Sequence, residues 1–244
     1  MIPKIIHYCW FGSLEMPEDV KKIIDTWERY LVDYKFVLWN EESFDINSHS
    51  FVKEAYESKK YAFVSDYVRL YALYNYGGIY MDTDVEVLRP LDSFLHYKAF
   101  TGKESDNACV TGTMGAIKGH PWIKELLKYY DEKSFFDKDG QKTNTKIITS
   151  LTVEMYGEEV LYKKSFSGSD LEIFSYEILC AKDYKSGKVE ATSETYTIHH
   201  FKGSWITDKE RKKAFSKRII INIFNKAIGS KKTEKLLLIW RKLK

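Results

Sequence analysis

The chain has 244 residues, of which 44% are hydrophobic and 30% are charged, a composition typical of an ordered soluble domain rather than of a disordered chain. Its net charge of +3 is unevenly distributed, because residues 209–244 contain 13 Lys and Arg against two Asp and Glu and carry +11. Residues 1–208 therefore carry −8, and the sequence describes an acidic body followed by a basic tail.

The cysteines and the N-terminus predict a cytoplasmic protein. Cys9, Cys109 and Cys180 are odd in number and widely spaced, which favours reduced thiols over a disulfide framework. The first residues lack the charged start and the long apolar stretch of a signal peptide. No apolar run approaches the roughly 18 residues that a membrane-spanning helix needs.

The first half of the chain alternates between strand and helix patterns. The predicted elements in chain order are a buried strand at 4–11, a helix at 17–31, a strand at 34–39, a helix at 51–76 that breaks near Ser58 and ends at Gly77-Gly78, and strands at 79–81 and 85–88. This alternation predicts an α/β domain with a mostly parallel sheet. Ligands of such sheets bind at the carboxyl ends of strands, and Asp82 follows one of these ends.

The second half gives weaker signals. The predicted elements are strands at 99–101 and 108–117, a helix at 121–130, a polar loop at 134–144, a helix at 145–155, and late strands at 174–179 and 194–201. The sequence contains no internal repeat and no low-complexity block.

The sequence MDTDVE places two carboxylates two residues apart, at Asp82 and Asp84. In a strand the two side chains would face the same side, where like charges repel and raise one pKa. A hard divalent cation such as Mg²⁺ or Mn²⁺ removes this repulsion, since it prefers oxygen ligands and is often held by one or two carboxylates plus substrate phosphates. The alternative is a solvated strand end whose acids cap a neighbouring helix.

A second charged pair precedes the acids. Asp66 and Arg69 are three residues apart in YAFVSDYVRLYALYNY and share one face of the predicted helix. One interpretation is an internal ion pair on a surface helix. Their position before a Gly-Gly turn and an acidic strand end favours a site pair, in which Arg69 meets a diphosphate and Asp66 a hydroxyl-bearing ligand.

Three segments in this order resemble a known family: IPKIIHYCWFG at 2–12, SDYVRLYALYNYGGIYMDTDVE at 65–86, and IHHFKGSW at 198–205. Together they resemble the DxD-containing sugar transferases. That family includes bacterial capsule and lipopolysaccharide glycosyltransferases, the yeast initiating mannosyltransferase and, more distantly, the clostridial glucosylating toxins. The resemblance implies a GT-A fold, a nucleotide-sugar-binding α/β sandwich. It also implies a nucleotide-sugar donor, Mn²⁺ or Mg²⁺, and retention of anomeric configuration.

The resemblance also implies roles for individual residues. Asp66 and Arg69 match the pair that contacts and positions the donor sugar. Asp82 and Asp84 match the DxD, whose second Asp ligates the metal and whose first reaches the ribose and a metal-bound water. His199 matches the histidine that closes over the metal and the diphosphate. The neighbouring His200 would point to the opposite strand face and is expected to be a packing or surface residue.

Further residues are assigned to the nucleotide. Trp10 matches the aromatic residue that stacks on the base, although a strand tryptophan is by itself more often part of the core. Tyr80 is expected to line the ribose pocket, and Asn40 to make a weaker nucleotide contact. Ser204 and Trp205 belong to the late block and are predicted to order over the donor.

These assignments predict a retaining, metal-dependent hexosyl- or N-acetylhexosaminyltransferase. Its donor would be a nucleotide-sugar, with UDP favoured, and its acceptor a glycan or lipid-linked oligosaccharide in capsule, O-antigen or lipopolysaccharide synthesis. Two alternatives stay open. One is a non-catalytic GT-A-fold binding protein. The other is a DxD phosphohydrolase, although in that class the motif follows the first strand and here it lies about 80 residues into the chain.

The charge pattern suggests a catalytic domain at 1–208 and a basic amphipathic helical tail at 209–244. Apolar residues recur at helical spacing through 214–244, between many lysines. Either this tail packs on the body with a solvated basic face, or it lies on the anionic inner face of the cell membrane. Nucleic acid is not an expected partner, because no nucleic-acid-binding fold signature accompanies the charge.

Overall fold

A computed structural model describes residues 1–12, 14–105, 107–110, 112–138 and 141–202. Ser204, Trp205 and the predicted tail at 209–244 lie outside the described residues.

The described residues form nine strands in two sheets. The strands are β1 (Ile5–Cys9), β2 (Lys35–Trp39), β3 (Gly78–Met81), β4 (Val85–Val87), β5 (Ala99–Gly102), β6 (Thr113–Ala116), β7 (Phe166–Ser167), β8 (Leu171–Phe174) and β9 (Thr197–His199). Seven of them make a central sheet in the order β2-β1-β3-β6-β5-β8-β7, and β4 pairs with β9 in a separate antiparallel ribbon. Five central strands run in one direction, because β1 pairs in parallel with β2 and β3, and β5 with β8. Only β6 and β7 run the other way.

Seven helices pack around this sheet within the described ranges. They are α1 (Glu18–Tyr30), α2 (Ser50–Glu57), α3 (Tyr61–Tyr76), α4 (Pro121–Asp131), α5 (Asn144–Tyr156), α6 (Glu159–Tyr162) and α7 (Tyr176–Leu179). Helix α4 begins at a proline because the first helical N–H needs no partner, and the preceding His120 accepts a hydrogen bond from the Trp122 N–H. Helix α3 ends at Gly77, whose φ of +66° a glycine adopts without strain.

The core lies on both faces of the sheet, as expected for a buried, mostly parallel sheet. Successive residues of β3 alternate between the two clusters, with Ile79 and Met81 on the α1 face and Tyr80 on the α3 face. On the α1 face the fully buried Trp27 donates an indole hydrogen bond of 2.6 Å to the Val85 carbonyl. This bond fixes β4, and therefore the end of the DxD motif, against the helix.

The Gly77-Gly78 pair allows β3 to pack closely beside β1. A Cβ on Gly78 would lie 2.7 Å from the Ile5 carbonyl oxygen, so a side chain there would force the strands apart. The carbonyl of Gly77 accepts a hydrogen bond from His7 Nε2 at 2.8 Å, while His7 Nδ1 accepts one from the Trp39 indole at 3.1 Å. These contacts tie the turn before the acidic motif to β1 and β2.

The structure confirms the predicted α/β class and the mostly parallel sheet. The helical stretch 51–76 does break after Glu57 and resumes at Tyr61. Two predicted strands differ from the structure: the described strand within 108–117 is Thr113–Ala116, shorter than predicted, and 174–179 holds the last residue of β8 followed by α7. Short apolar runs do not distinguish a strand from one helical turn, because the periodicity over so few residues is ambiguous. Cys9, Cys109 and Cys180 are buried, and none of them forms a disulfide bond within the described residues.

Candidate active site

The candidate site lies at one edge of the central sheet. The parallel strands β1, β2 and β3 end there, and Trp10, Asn40 and Asp82 follow their last residues. Strand β5 runs in the same direction, so its carboxyl end and Glu104 reach this edge as well. Carboxyl ends of parallel strands are the usual ligand-binding edge of open α/β sheets.

The DxD acids lie in a turn between β3 and β4. The Val85 N–H donates to the Asp82 carbonyl at 2.9 Å, and the Asp82 N–H donates to the Gly112 carbonyl at 2.8 Å. The prediction that strand alternation places the two side chains on one side was therefore wrong in its mechanism. The tight turn brings both carboxylates to the edge of the sheet.

His199 reaches the acids because β9 pairs with β4, with Val85 opposite His199. Its Nε2 atom lies 3.3 Å from Asp84 Oδ1 and 3.9 Å from Asp82 Oδ2. We call these three residues, Asp82, Asp84 and His199, the acid–histidine cluster. His200 faces the other way, as predicted, and its Nε2 lies 2.7 Å from Glu86 Oε2.

Each carboxylate of the cluster uses one oxygen for the protein and presents the other to His199. Asp82 Oδ1 accepts a hydrogen bond from the Tyr80 hydroxyl at 3.1 Å and lies 3.1 Å from a guanidinium nitrogen of Arg69. Asp84 Oδ2 accepts from the Lys202 N–H at 2.7 Å. The supporting contacts thus orient Asp82 Oδ2 and Asp84 Oδ1 toward the imidazole.

The cluster is electrostatically coupled. Burial raises the pKa of Asp84, but the adjacent His199 cation and hydrogen bonds outweigh burial and hold that pKa at about 2. For His199, burial lowers the pKa, while the Asp84 carboxylate and further hydrogen bonds raise it well above its usual value. Asp84 is therefore a carboxylate at any ordinary pH.

These donor atoms fit a divalent cation. One atom from each residue of the cluster lies within 4.8 Å of the others, and two carboxylate oxygens with one imidazole nitrogen suit Mn²⁺ or Mg²⁺. Gly112 keeps the adjacent space open: a Cβ there would lie 3.0 Å from Asp82 Oδ2 and 3.2 Å from His199 Cε1. Carboxylates and histidine could therefore close around a metal without a side chain intervening.

Asp66 and Arg69 form a buried bridge beside the cluster, not an ion pair on a surface helix. A guanidinium nitrogen of Arg69 lies 3.1 Å from Asp66 Oδ1 and 3.1 Å from Asp82 Oδ1. The guanidinium carbon also lies 4.6 Å from the centroid of the Tyr80 ring, within cation–π range. Both charged residues are only 8% exposed, so their mutual pairing compensates their desolvation.

The carboxyl group of Asp66 is unusual. Burial raises its pKa to about 7, and the neighbouring Asp82 acts in the same direction, although the Arg69 guanidinium partly opposes the shift. Asp66 therefore changes protonation state near neutral pH.

The residues predicted to contact the nucleotide lie at the expected edge of the sheet, but their surroundings differ from one another. Trp10 is half-buried, and its indole donates to the Leu14 carbonyl at 2.6 Å. The side-chain oxygen of Asn40 accepts the N–H groups of two following residues and so forms a turn. Tyr80 is 2% exposed, so the structure gives its ring a supporting position beneath Arg69 and Asp82.

Two residues of this site, Glu104 and Lys202, were not assigned to it from the sequence. Glu104 Oε1 lies 3.4 Å from His199 Nδ1, and Glu104 Oε2 lies 3.5 Å from the Thr145 hydroxyl. Lys202 joins the site to α1, because its ammonium group lies 2.5 Å from Asp19 Oδ2. The only available signal for Glu104 was its place after a predicted strand, and the sequence does not say that this strand lies near β3.

Across the residues that the structure describes, no helix combines the length and the apolar character that crossing a membrane requires.

Comparison with known proteins finds a family model that matches part of this chain, including both acids of the cluster. Residues 17–101 match the family model described as "Glycosyltransferase sugar-binding region containing DXD motif". Inositol phosphoceramide mannosyltransferase 3 of Schizosaccharomyces pombe is 38% identical over 135 residues, covering 52% of this chain and 36% of the relative. Mannosyl phosphorylinositol ceramide synthase SUR1 of Saccharomyces cerevisiae is 34% identical over 146 residues, covering 55% of this chain and 37% of the relative. The chain thus spans little more than a third of the length of these relatives.

The fold has a solved counterpart. The structure titled "PaToxG Glycosyltransferase" superposes with a TM-score of 0.51 at 20% identity, covering 64% of this chain and 69% of the other. At this identity the likeness concerns the fold alone, and it agrees with the GT-A architecture expected from the sequence. The resemblance to DxD-containing sugar transferases is confirmed over residues 17–101, which match a family model of glycosyltransferase sugar-binding regions that contain a DXD motif.

Proposed function

We propose that the protein is a metal-dependent glycosyltransferase that moves a hexosyl group from a nucleoside diphosphate sugar to a hydroxyl group of an acceptor. The observation that carries this proposal is the acid–histidine cluster. It lies at the carboxyl edge of the sheet, next to a buried arginine, and both acids belong to the matched DXD region. The fold and the family agree with this chemistry, while the reaction itself is the proposal.

The cluster would hold Mn²⁺ or Mg²⁺ through Asp82, Asp84 and His199. When bound, such an ion neutralises the negative charge that develops on the leaving diphosphate. The protein prepares the site by fixing both carboxylates from behind, so that their inward oxygens need little reorganisation.

Arg69 supports the same chemistry from the protein side. Its guanidinium is held between two carboxylates and over the Tyr80 ring, so its position is fixed before any ligand arrives. This buried positive charge lies next to the cluster and favours a diphosphate there. Asp66, whose pKa is near neutral, is assigned to a hydroxyl group of the donor sugar, which it can meet as either donor or acceptor.

The nucleotide is assigned to the edge formed by β1 and β2. Trp10 is half-exposed at the end of β1 and offers a ring on which a base can stack. Glu41 supports the following loop, since its carboxylate accepts the Gly12 N–H at 2.7 Å and the Tyr56 hydroxyl at 2.9 Å. Ser204 and Trp205 remain predicted donor contacts.

We assign a retaining course to the reaction, on the family resemblance. The acceptor hydroxyl would attack the anomeric carbon from the face that the diphosphate leaves, and a phosphate oxygen would take the hydroxyl proton. No side chain is assigned as a nucleophile. Isolation of a covalent glycosyl-enzyme adduct on this chain would overturn this course.

The acceptor has two candidate classes. The sequence resemblance suggests a glycan or lipid-linked oligosaccharide in capsule, O-antigen or lipopolysaccharide synthesis. The fungal relatives carry names that specify mannosyl transfer to inositol phosphoceramide. We therefore propose a lipid-linked acceptor and either a UDP-sugar or a mannosyl donor. The basic segment 214–244 supports work at the inner face of the cell membrane.

A donor screen tests the proposal. The full chain is incubated with a panel of UDP- and GDP-sugars, with and without Mn²⁺, and the released nucleoside diphosphate is measured. We expect release from one donor that depends on Mn²⁺ and is lost in Asp84→Asn. His200→Gln serves as the matched control, because it removes a neighbouring histidine that faces away from the cluster.

The alternatives give different results in the same assay. A non-catalytic binding protein would bind UDP or GDP with Mn²⁺ in calorimetry but release no nucleotide, even with lipid acceptors added. A phosphohydrolase would release inorganic phosphate from simple phosphate monoesters. If the chain shows no nucleotide binding and no turnover with any donor, the proposed function is refuted.

A further inference from the structure

Glu104 contacts the histidine of the cluster from the side opposite the acids. His199 Nε2 faces Asp84 Oδ1 at 3.3 Å, while its Nδ1 faces Glu104 Oε1 at 3.4 Å. The ring is therefore placed between two carboxylates, one on each nitrogen. Glu104 follows β5 and comes from a different part of the sheet than the acids.

The Nδ1 atom of His199 needs a partner. It is buried and makes no hydrogen bond of good geometry within the described residues, although a buried polar atom usually has one. The Glu104 carboxylate lies only slightly beyond hydrogen-bond distance, so a small rotation would complete the bond. The Cys180 thiol also lies beside this ring, but sulfur is the weaker acceptor.

Glu104 is itself held in place. Its second carboxylate oxygen lies 3.5 Å from the Thr145 hydroxyl at the start of α5, and its N–H donates to the Ala108 carbonyl at 3.1 Å. The preceding Lys103 is buried and donates to the Leu161 carbonyl at 2.8 Å, which fixes the end of β5. The carboxylate thus approaches His199 from an anchored backbone.

The tautomer of His199 decides whether it can bind a metal. Metal binding would displace one proton from the His199 cation, and the neutral ring that remains offers the lone pair of Nε2 only when its single proton is on Nδ1. Without a partner at Nδ1, the Nε2–H tautomer would be favoured, because it can donate to Asp84 at 3.3 Å. A carboxylate at Nδ1 reverses this preference and also fixes the orientation of the ring.

We propose that Glu104 is the positioning residue of the metal site: it accepts a hydrogen bond from Nδ1–H of His199 and so directs the Nε2 lone pair toward the ion held by Asp82 and Asp84. This inference rests on the proposed function, because it assumes that the cluster binds a divalent cation. It adds a carboxylate that does not touch the metal but sets its affinity.

Metal affinity provides the first test. The full chain and its variants are titrated with Mn²⁺ by calorimetry, without donor or acceptor. We expect Glu104→Ala to weaken Mn²⁺ binding about 10- to 100-fold, as for other partners of metal-binding histidines. Glu104→Gln retains an acceptor oxygen and is expected to lose less. Glu86→Ala is the matched control, because Glu86 makes the same kind of contact with His200, away from the cluster. The Mn²⁺ affinity of this variant should be unchanged.

A double-mutant cycle separates positioning from simple loss of charge. In a His199→Ala background, Glu104→Ala should cause no further loss, because its effect passes through the imidazole. In parallel, ¹⁵N NMR of histidine-labelled protein with bound Mg²⁺ should show the His199 proton on Nδ1 in the wild type. It should lie on Nε2, or exchange between both, in Glu104→Ala.

Several outcomes would overturn the inference. These are an unchanged Mn²⁺ affinity in Glu104→Ala, an equal loss in the His199→Ala background, or an unchanged tautomer. If the wild type binds Mn²⁺ and only the Glu104 effects are missing, the proposed metal site stands and this inference fails. If the wild type binds neither Mn²⁺ nor Mg²⁺, both fail. Should Glu104→Ala not fold, Glu104→Leu, which also removes the acceptor but fills more of the space, carries the same calorimetric and NMR readouts.

Discussion

Removing the positive charge of Arg69 is expected to destabilise the protein strongly. The substitution Arg69→Met keeps an apolar side chain over the Tyr80 ring but leaves Asp66 and Asp82 facing each other without compensation. All three charged groups lie within a buried or partly buried region. A buried carboxylate that loses its partner retains its desolvation penalty, so the cost exceeds the value of the pair itself.

The magnitude follows from the geometry. Coulomb's law gives about 5 kcal/mol for unit charges 3.1 Å apart at an effective dielectric constant of about 20. Desolvation of the guanidinium offsets part of this, and Asp66 is only about half ionised at neutral pH, because its pKa is about 7. We therefore expect the free energy of unfolding to fall by about 3–5 kcal/mol, the range seen when a buried pair is broken.

The loss of unfolding free energy in Arg69→Met should depend on pH. In the wild type, the pKa of Asp66 is raised, so its contribution to stability is fully present below pH 3.8 and is lost as pH rises through about 7. Without Arg69 the pKa rises further, and the loss continues above pH 7. The difference in unfolding free energy between wild type and variant should therefore be larger at pH 8.5 than at pH 5.5.

Urea denaturation followed by tryptophan fluorescence measures both quantities. Arg89→Met is the control, because Arg89 stacks on Tyr196 and contacts a carbonyl oxygen at the surface, and we expect it to cost less than about 1 kcal/mol. The double variant Arg69→Met with Asp66→Asn should recover part of the stability by removing one uncompensated charge. A loss below about 1 kcal/mol for Arg69→Met, or one that does not vary with pH, would refute the reasoning.

Three further changes test the cluster. Asp84→Asn should cost about 2 kcal/mol of unfolding free energy near pH 6. This difference should disappear as pH falls from about 4 to 2 in urea titrations, because the pKa of Asp84 is lowered from 3.8 to about 2. Gly112→Ala places a Cβ against the cluster and should weaken Mn²⁺ binding at least about tenfold in calorimetry. Gly119→Ala is the control and should not weaken Mn²⁺ binding: its φ of +72° strains the backbone, but its Cβ would have no neighbour within 4 Å. His199→Gln should weaken Mn²⁺ binding while His200→Gln leaves it intact, and equal effects would contradict the opposite orientation of the two rings.

Much of the fold was predictable because its signals are local. The helix at Glu18–Tyr30, the interruption after Glu57 and the glycine turn before β3 all follow from spacing and from the backbone preferences of proline and glycine. The predictions that differ from the structure, in bounds or in type, concern short runs between 108 and 179. There, the choice between strand and helical turn depends on neighbours from other parts of the chain.

The site, like the fold, has features that the sequence predicts and features that it does not. Residue spacing in the sequence predicted oxygen ligands at Asp82 and Asp84 and an ion pair between Asp66 and Arg69, and the family resemblance added His199. It did not determine that the Asp66–Arg69 pair is buried, or that Arg69 bridges to the first acid of the motif. Burial depends on which helix covers which strand, and no local pattern records it.

The tertiary structure alone decided which atoms meet. Pairing of β9 with β4 places His199 against the DxD turn, and the direction of β5 brings Glu104 to the other side of the same ring. Both contacts join segments far apart in the chain, through hydrogen bonds between backbones that carry no residue-specific signal. The sequence supplied the ligands of the proposed metal site, whereas only the packed sheet supplied their orientation.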